Sequence, residues 1–326
     1  MRIESSVTSI TWIPSDAIKG MTKLPFELGV SHYDDPPPDK LEDIDALRER
    51  DAFREANILR AYVEVEDGKV TDAGQLGRGL IGVTRIKLGP KELSFPAVKY
   101  PVLQSEPEIG PDWVRFTQTA GGRMGLPAPR RVRGKPFVQL ASASAWTTLQ
   151  LVIYTNGTAK AALVGASPFP RHWIYDHSGT LVEKSGSIDF DAWYREVYGS
   201  RTPWGESDWE TLVTPAESEL ERELSASVMR SGAKLERRKL VEGDTLVREG
   251  DEGRDLFLIL DGVLSVQKDG KPVAEVGPGA ILGEKALLGD GKRTATLVAS
   301  TNARIAVIPP DAIDASKLGE LSAGRG

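Results

Sequence analysis

The sequence predicts a mainly β protein with a few helices, divided into a β-rich domain over residues 1–205, a linker over 206–215 and a second β-built domain over 216–326. Three observations predict it. Residues 58–183 are a succession of short β-branched and aromatic runs punctuated by glycine and proline, the pattern of a β-sandwich or a curved sheet. Residues 201–215 (RTPWGESDWETLVTP) are polar and broken by proline and glycine, which marks a boundary. After one helical stretch beyond that boundary, short strands separated by glycine turns resume as far as Ile308.

Taken in order, residues 34–39 (DDPPPD) form a stiff connector, because consecutive prolines favour polyproline geometry. Leu41, Ile44, Leu47 and Phe53 then recur at near-helical spacing among charged residues and predict one amphipathic helix to about Ala56. Three hairpins follow from their turn residues. The first joins 61–65 to the strand that starts at Val70, across Asp67-Gly68. The second joins 149–154 to 159–164 across Asn156-Gly157, a pair that suits a type I′ turn. The third joins 173–175 to 180–183 across His177-Ser178-Gly179. Further strands are expected at 81–88, 113–119 and 136–141, and a short helix at 189–198 with Asp189 as its N-cap. In the second domain Thr214 is the expected N-cap of a helix with Pro215 at its first position and Glu217 at its third, running to about Arg230.

Composition narrows the function. The chain has 326 residues, 40% hydrophobic and 27% charged, so each domain has material for its own core. It contains no cysteine, which removes disulfides, thiolate catalysis and thiolate-held zinc at once. A net charge of −6 argues against a dedicated nucleic-acid binder. One basic cluster, Arg130, Arg131, Arg133 and Lys135, lies among prolines and a glycine and reads as a solvated loop, the other reading being a contact to phosphate or an acidic partner. The N-terminal MRIESSVTSITWIP lacks the basic and apolar regions of a signal peptide. No apolar run approaches the ~20 residues of a membrane span, and a cytoplasmic protein is expected.

The last third carries the chemistry. Val241-Glu242-Gly243-Asp244-Thr245-Leu246 is followed by Glu249-Gly250-Asp251-Glu252-Gly253, then Leu256-Phe257-Leu258-Ile259-Leu260-Asp261-Gly262, then Val276-Gly277-Pro278-Gly279. These lead into Ile281-Leu282-Gly283-Glu284-Lys285-Ala286-Leu287-Leu288, Gly289-Asp290-Gly291-Lys292 and Arg293-Thr294-Ala295-Thr296. This ordered series resembles the cyclic-nucleotide-binding domain family, the β-roll of cAMP receptor proteins and protein kinase regulatory subunits, over roughly residues 216–313. The resemblance implies a C-terminal jelly-roll with flanking helices and a ligand that is cAMP or cGMP. It also implies a site in which Arg293 pairs with the cyclic phosphate, Glu284 accepts the ribose 2′-hydroxyl proton, and Gly283, Lys285, Ala286, Leu287, Thr294 and Ala295 line the cassette.

The chemistry of those residue types agrees. A cyclic phosphodiester is a monoanion with two exocyclic oxygens, and arginine is permanently charged and donates two parallel bonds to such a group. Backbone N–H groups of a glycine-rich turn share the load. Thr294 suits either nucleotide. Three departures stand out: Leu282 in place of a frequent Phe, Lys292 in place of the usual Pro, and a C-terminal segment with room only for a short helix around 312–321 where family members carry a long lid. No helix-turn-helix follows the domain, so the resemblance does not extend to a DNA-binding regulator.

The first domain resembles no characterised family. On a strand, His172, Ile174 and Asp176 share one face, while His177 lies on the turn. His172 and Asp176 are the candidate catalytic pair for acid–base work or metal ligation, with a surface strand and hairpin tip as the plainer reading; no metal ligand set is assigned. Trp12, Trp113, Trp146, Trp173 and Trp193 read as core, and Trp204 and Trp209 as packing for a domain interface or a cap for a base. Three functions follow: a cyclic-nucleotide-responsive regulator acting through the first domain, another protein or self-association; an enzyme gated by the nucleotide; and a degenerate roll with a role in assembly.

Overall fold

The structure, a computed structural model, describes residues 1–14, 34–82, 84–88, 91–95, 97–131, 138–189, 193, 202–205, 211–230, 235–310, 312–313 and 315–324. About 50% of the chain is strand and 12% helix. It divides into two compact units, one of residues 1–183 with 188–211 and one of residues 184–187 with 212–326.

The first unit opens with β1 (Arg2–Trp12) and the short helix α1 (Ile44–Glu49). The helix is a third of the length its spacing predicts. Asp43 caps its start by accepting from the Asp45 and Ala46 amides. Its end is a Schellman turn: Ala52 N–H bonds Leu47 O, Asp51 N–H bonds Arg48 O, and Asp51 takes φ 56°. Phe53 therefore enters the core as part of a turn, and Glu55 already belongs to the next strand.

Strands β2 (Glu55–Glu66), β3 (Lys69–Gln75), β4 (Arg78–Ile81), β5 (Thr84–Leu88), β6 (Lys91–Phe95), β7 (Val98–Lys99), β8 (Leu103–Gln104) and β9 (Glu108–Ile109) follow. After them come the long β10 (Trp113–Arg131) and β11 (Val138–Tyr154), then β12 (Ala159–Ala166), β13 (Arg171–Tyr175) and β14 (Leu181–Ser185), whose last residues belong to the second unit. One antiparallel sheet has the order β14-β13-β1-β2-β3, with β4 also on β2; another has the order β12-β11-β10-β7, with β8 and β9 also on β10. The two sheets face each other across Ser9, Asn57, Gln118 and Thr147, which bond between them, and a core that includes Val7, Leu59, Phe116, Leu149 and Leu151. This is the sandwich arrangement.

All three hairpins form, with one difference in turn type. Asp67 and Gly68 both take positive φ, 50° and 75°, as a type I′ turn demands. At the second hairpin Gly157 alone is positive, at 93°. Asn156 keeps negative φ because its Oδ1 accepts from both the amide and the hydroxyl of Thr158, an Asx-turn that replaces the type I′ geometry. The expected helix over 189–198 lies outside the described residues except for Asp189 and Trp193, whose backbones are bonded.

In the second unit β15 (Val213–Pro215) precedes α2 (Glu219–Arg230). Pro215 thus ends a strand and does not start the helix. The cap is Ser218: its Oγ accepts from Glu221 N–H at 3.3 Å, and Glu221 Oε2 accepts from Ser218 N–H at 3.3 Å, a reciprocal capping box. The remaining elements are β16 (Glu236–Leu240), β17 (Thr245–Val247), β18 (Leu256–Asp261), β19 (Leu264–Lys268), β20 (Lys271–Val276), β21 (Ile281–Leu282), α3 (Glu284–Leu288), β22 (Thr296–Ala299), β23 (Ala303–Ile308) and α4 (Ala315–Ala323). They form two four-stranded sheets, β16-β23-β18-β21 and β17-β22-β19-β20, the β-roll the resemblance implies. The unbroken apolar run of β18 is explained by burial on both sides. Phe257 and Ile259 meet Leu264, Leu297, Ile305 and Val307 inside the roll, whereas Leu256 and Leu258 meet Leu224, Val228, Leu318 and Leu321 of α2 and α4. Among the described residues no helix is long and apolar enough to cross a membrane.

Candidate functional site

The cassette is built by two turns that hold each other. Gly250 N–H bonds Arg293 O at 2.8 Å, Arg293 N–H bonds Asp251 O at 2.8 Å, and Gly253 N–H bonds Gly291 O at 2.9 Å. The Gly250–Gly253 turn therefore fixes the backbone on either side of Arg293, which is why the two motifs occur together in the sequence. On the other side, Gly283 takes φ 96° and starts α3, whose first turn carries no side-chain cap. Helix α3 runs into the same loop through Gly289 N–H to Lys285 O and Gly291 N–H to Ala286 O, both 3.0 Å.

Arg293 is buried, at 6% exposure. Its guanidinium lies 4.9 Å from the centre of the Phe257 ring, and Nη1 donates to Asp255 O at 2.8 Å. A Cβ on Gly253 would stand 2.7 Å from Nη2, and one on Gly283 would stand 2.8 Å from Nη1. Both positions are glycine because the guanidinium occupies the space of their side chains. Gly283 carries the further demand of a left-handed backbone. Nε and Nη2 have no hydrogen-bond partner among the described residues. Burial pulls the Arg293 pKa below the ordinary guanidinium value, Asp255 opposes this, and Arg238 adds to it. Guanidinium remains charged near neutrality even so. A guanidinium with one edge spent and another edge open can accept an anion with paired oxygens.

Glu284 follows Gly283 and is also buried, at 4%. Ala286 is buried, Leu287 packs against the cluster formed with α2 and α4, and Lys285 and Thr294 are exposed. Every cassette residue expected from the sequence thus lies on α3 or the strand of chain that holds Arg293. The sequence reading assigned no role to Gly253, Asp255 or Phe257, which seat the guanidinium. The Gly-Asp-x-Gly turn and the apolar run after it are the signal that could have found them.

His172 and Asp176 are placed differently. All of β13 is buried, and His172 is 1% exposed. Its Nδ1 lies 2.9 Å from Thr11 Oγ1 and its Nε2 lies 2.8 Å from Ser167 O. Burial pulls its pKa down to about 4, Ser167 opposing and Arg171 assisting. The expected surface strand is therefore a core strand. Asp176 sits in the hairpin turn, where Oδ1 accepts from Ser178 N, Ser178 Oγ and Thr180 N. Burial pushes its carboxyl up, and the bonds from Ser178 and Thr180 outweigh that and hold it low. The structure gives the two residues separate partners and brings them to no shared site. Trp204 packs on Tyr100 at 4.8 Å and donates to Pro101 O, within the first unit. Trp209, Arg133 and Lys135 lie outside the described residues, and Arg130 and Arg131 end β10.

Comparison with known proteins gives a match of residues 237–315 to the family model of the cyclic nucleotide-binding domain. A cAMP-dependent protein kinase regulatory subunit of Yarrowia lipolytica is 36% identical over 81 residues, 25% of this chain and 21% of the relative. The human potassium/sodium hyperpolarization-activated cyclic nucleotide-gated channel 3 is 38% identical over 73 residues, 22% of this chain and 9% of the channel. The chain thus spans about a fifth of the length of the first relative and less of the second. Among solved structures, a cyclic nucleotide-binding domain from Methylobacillus flagellatus is 29% identical with a TM-score of 0.26, covering 33% of this chain and 72% of that one.

Proposed function

With residues 237–315 a cyclic nucleotide-binding domain, we propose that this protein is a cyclic-nucleotide-responsive regulator whose ligand is cAMP, with cGMP as the second candidate. The observation that carries the reading is the buried Arg293 guanidinium with Nε and Nη2 unspent, one helical start away from the buried carboxylate of Glu284. In this reading Nε and Nη2 donate to the two exocyclic oxygens of the cyclic phosphate. The amides of the first turn of α3, at Lys285, Ala286 and Leu287, and the chain at Gly283, Thr294 and Ala295 surround the same group. Glu284 accepts from the ribose 2′-hydroxyl. The preference for cAMP follows the regulatory-subunit relatives, since Thr294 suits both bases.

The base would be met by what lies beyond the cassette. Helix α4 is nine residues long and packs through Leu318 and Leu321 on α2 and on the β18 face. We assign it the role of a short lid, with Leu287 as its contact to the cassette. Binding that tightens α3 against α4 and α2 would bias the responsive domain, residues 216–326, towards one arrangement, and the output would pass to the first domain or to a protein partner. A ligand shifts such an equilibrium only by its differential affinity for the two arrangements. Calorimetric titration with cAMP and with cGMP tests the reading: saturable binding of one at micromolar concentration supports it, and binding of neither at millimolar concentration defeats it.

A further inference from the structure

The first unit holds an arrangement that nucleotide binding does not use. Glu55, Thr11 and His172 stand directly opposite one another on β2, β1 and β13, with Thr11 the register partner of both others. All three are buried at 1% exposure or less. Thr11 Oγ1 lies 2.8 Å from Glu55 Oε2 and 2.9 Å from His172 Nδ1. Glu55 Oε1 is buried with no hydrogen-bond partner among the described residues.

Donor counting sets how many protons the row holds. Ser167 O can only accept, so His172 Nε2 carries a hydrogen. If His172 is neutral, Nδ1 is an acceptor and takes the Thr11 hydroxyl proton. Thr11 then has no hydrogen left for Glu55, and the 2.8 Å contact is a bond only if the Glu55 carboxyl is protonated and donates to Thr11 Oγ1. With one more proton, Nδ1–H and the carboxyl O–H both point at a single hydroxyl. With one fewer, a carboxylate and a bare Nδ1 compete for it. Within these contacts one shared proton satisfies every group: a second one leaves the Thr11 hydroxyl hydrogen without an acceptor, and its absence leaves two acceptors for one hydrogen.

We propose that Glu55, Thr11 and His172 form a buried one-proton relay that makes the first unit a pH-responsive element, with the hydrogen bonds running from Glu55 through Thr11 to His172. Transfer along it is balanced: the Glu55 proton passes to Thr11 Oγ1 as the Thr11 proton passes to Nδ1, leaving a carboxylate and an imidazolium. Burial holds the row at the neutral end, since it pushes Glu55 well above its ordinary value and pulls His172 down.

Arg171 on β13 disfavours charge on His172, and Arg54, which precedes β2, is held by Asp34 and Asp51. On β14 Glu183 is half-buried and Lys184 is ion-paired to Glu217 in the second unit. Facing β1 and β2 from β10 and β11 are Gln118 and Thr147, which do not titrate.

The signs follow. His172 has a folded pKa below its unfolded value of 6.5, so its contribution is present above pH 6.5 and is lost as pH falls towards about 4. Glu55 has a folded pKa above its unfolded value of 4.5, so its contribution is lost as pH rises from 4.5 through the folded value.

Histidine-selective nitrogen NMR on the full chain, with His172 assigned by His172→Gln, tests the relay. The expected spectrum shows the Nε2–H tautomer with Nδ1 as acceptor, persisting until pH approaches 4. An Nδ1–H tautomer, an imidazolium at neutral pH, or a midpoint near 6.5 overturns the proposal. Glu55→Gln gives a second reading, because its amide donates as the protonated acid does. It is expected to fold, to keep the tautomer and to remove the alkaline limb of stability. If Glu55→Gln fails to fold while Thr11→Ser folds, Glu55 accepts from Thr11 and the proposed direction is wrong.

Discussion

Arg293 and His172 are both buried ionisable side chains, one in each unit, and they are bonded in opposite ways. His172 spends both ring nitrogens on Thr11 and Ser167. Arg293 spends Nη1 on Asp255 and presents Nε and Nη2 to nothing among the described residues. The unspent edge of a guanidinium is suited to an anion with paired oxygens. The closed row around His172 is the mark of a core. Burial and a shifted pKa are common to the two and do not separate them; the count of unspent donors does.

That contrast can be broken at its strongest point first. Arg293→Ala should weaken cAMP binding by roughly 2–4 kcal/mol, about thirty- to a thousandfold in Kd, with the unit still folded; calorimetry with circular dichroism as the folding control reads both. On the spent side, Thr11→Val should cost stability instead, about 1–3 kcal/mol from the buried partners it strands, measured as a lower midpoint of the first unit in urea. Loss of nucleotide affinity without loss of stability in that variant would erase the distinction. Glu284 sharpens the site: 2′-deoxy-cAMP should bind wild type weaker by about 1–2 kcal/mol, and Glu284→Ala should bind the two nucleotides alike. The smallest effect belongs to Glu221, a buried carboxylate of the second unit that is spent like His172, accepting from Ser218 N, Ser218 Oγ and Ile281 N. Ser218→Ala should lower stability by about 1 kcal/mol and leave the Kd for cAMP unchanged.

What could be read from the sequence follows the same division. The cassette is contiguous: Gly283, Glu284 and Arg293 lie within eleven residues, and the backbone carries their relation from sequence to space. The hairpins at Asp67-Gly68 and His177-Ser178-Gly179 are equally local. The role of His172 rests on Thr11, 161 residues away, whereas strand alternation alone says only that His172 shares a face with Ile174 and Asp176. The helix after the proline connector is shorter than its spacing predicts because Phe53 keeps the apolar spacing while the Asp51 turn and the pull of β2 on Glu55 end it early. At α2 Thr214-Pro215 suggests a helix start, but the cap that forms is Ser218-x-x-Glu221, three residues further on. The passage of residues 184–187 into the second unit has no sequence mark at all.

Nitrogen NMR of the Arg293 guanidinium, with and without cAMP, reads its open edge directly. The Nε–H and Nη2 protons, exchanging freely in the unliganded protein, should become shifted and protected on saturation. Saturable cAMP binding that leaves the Arg293 resonances where they were would contradict the proposed phosphate contact.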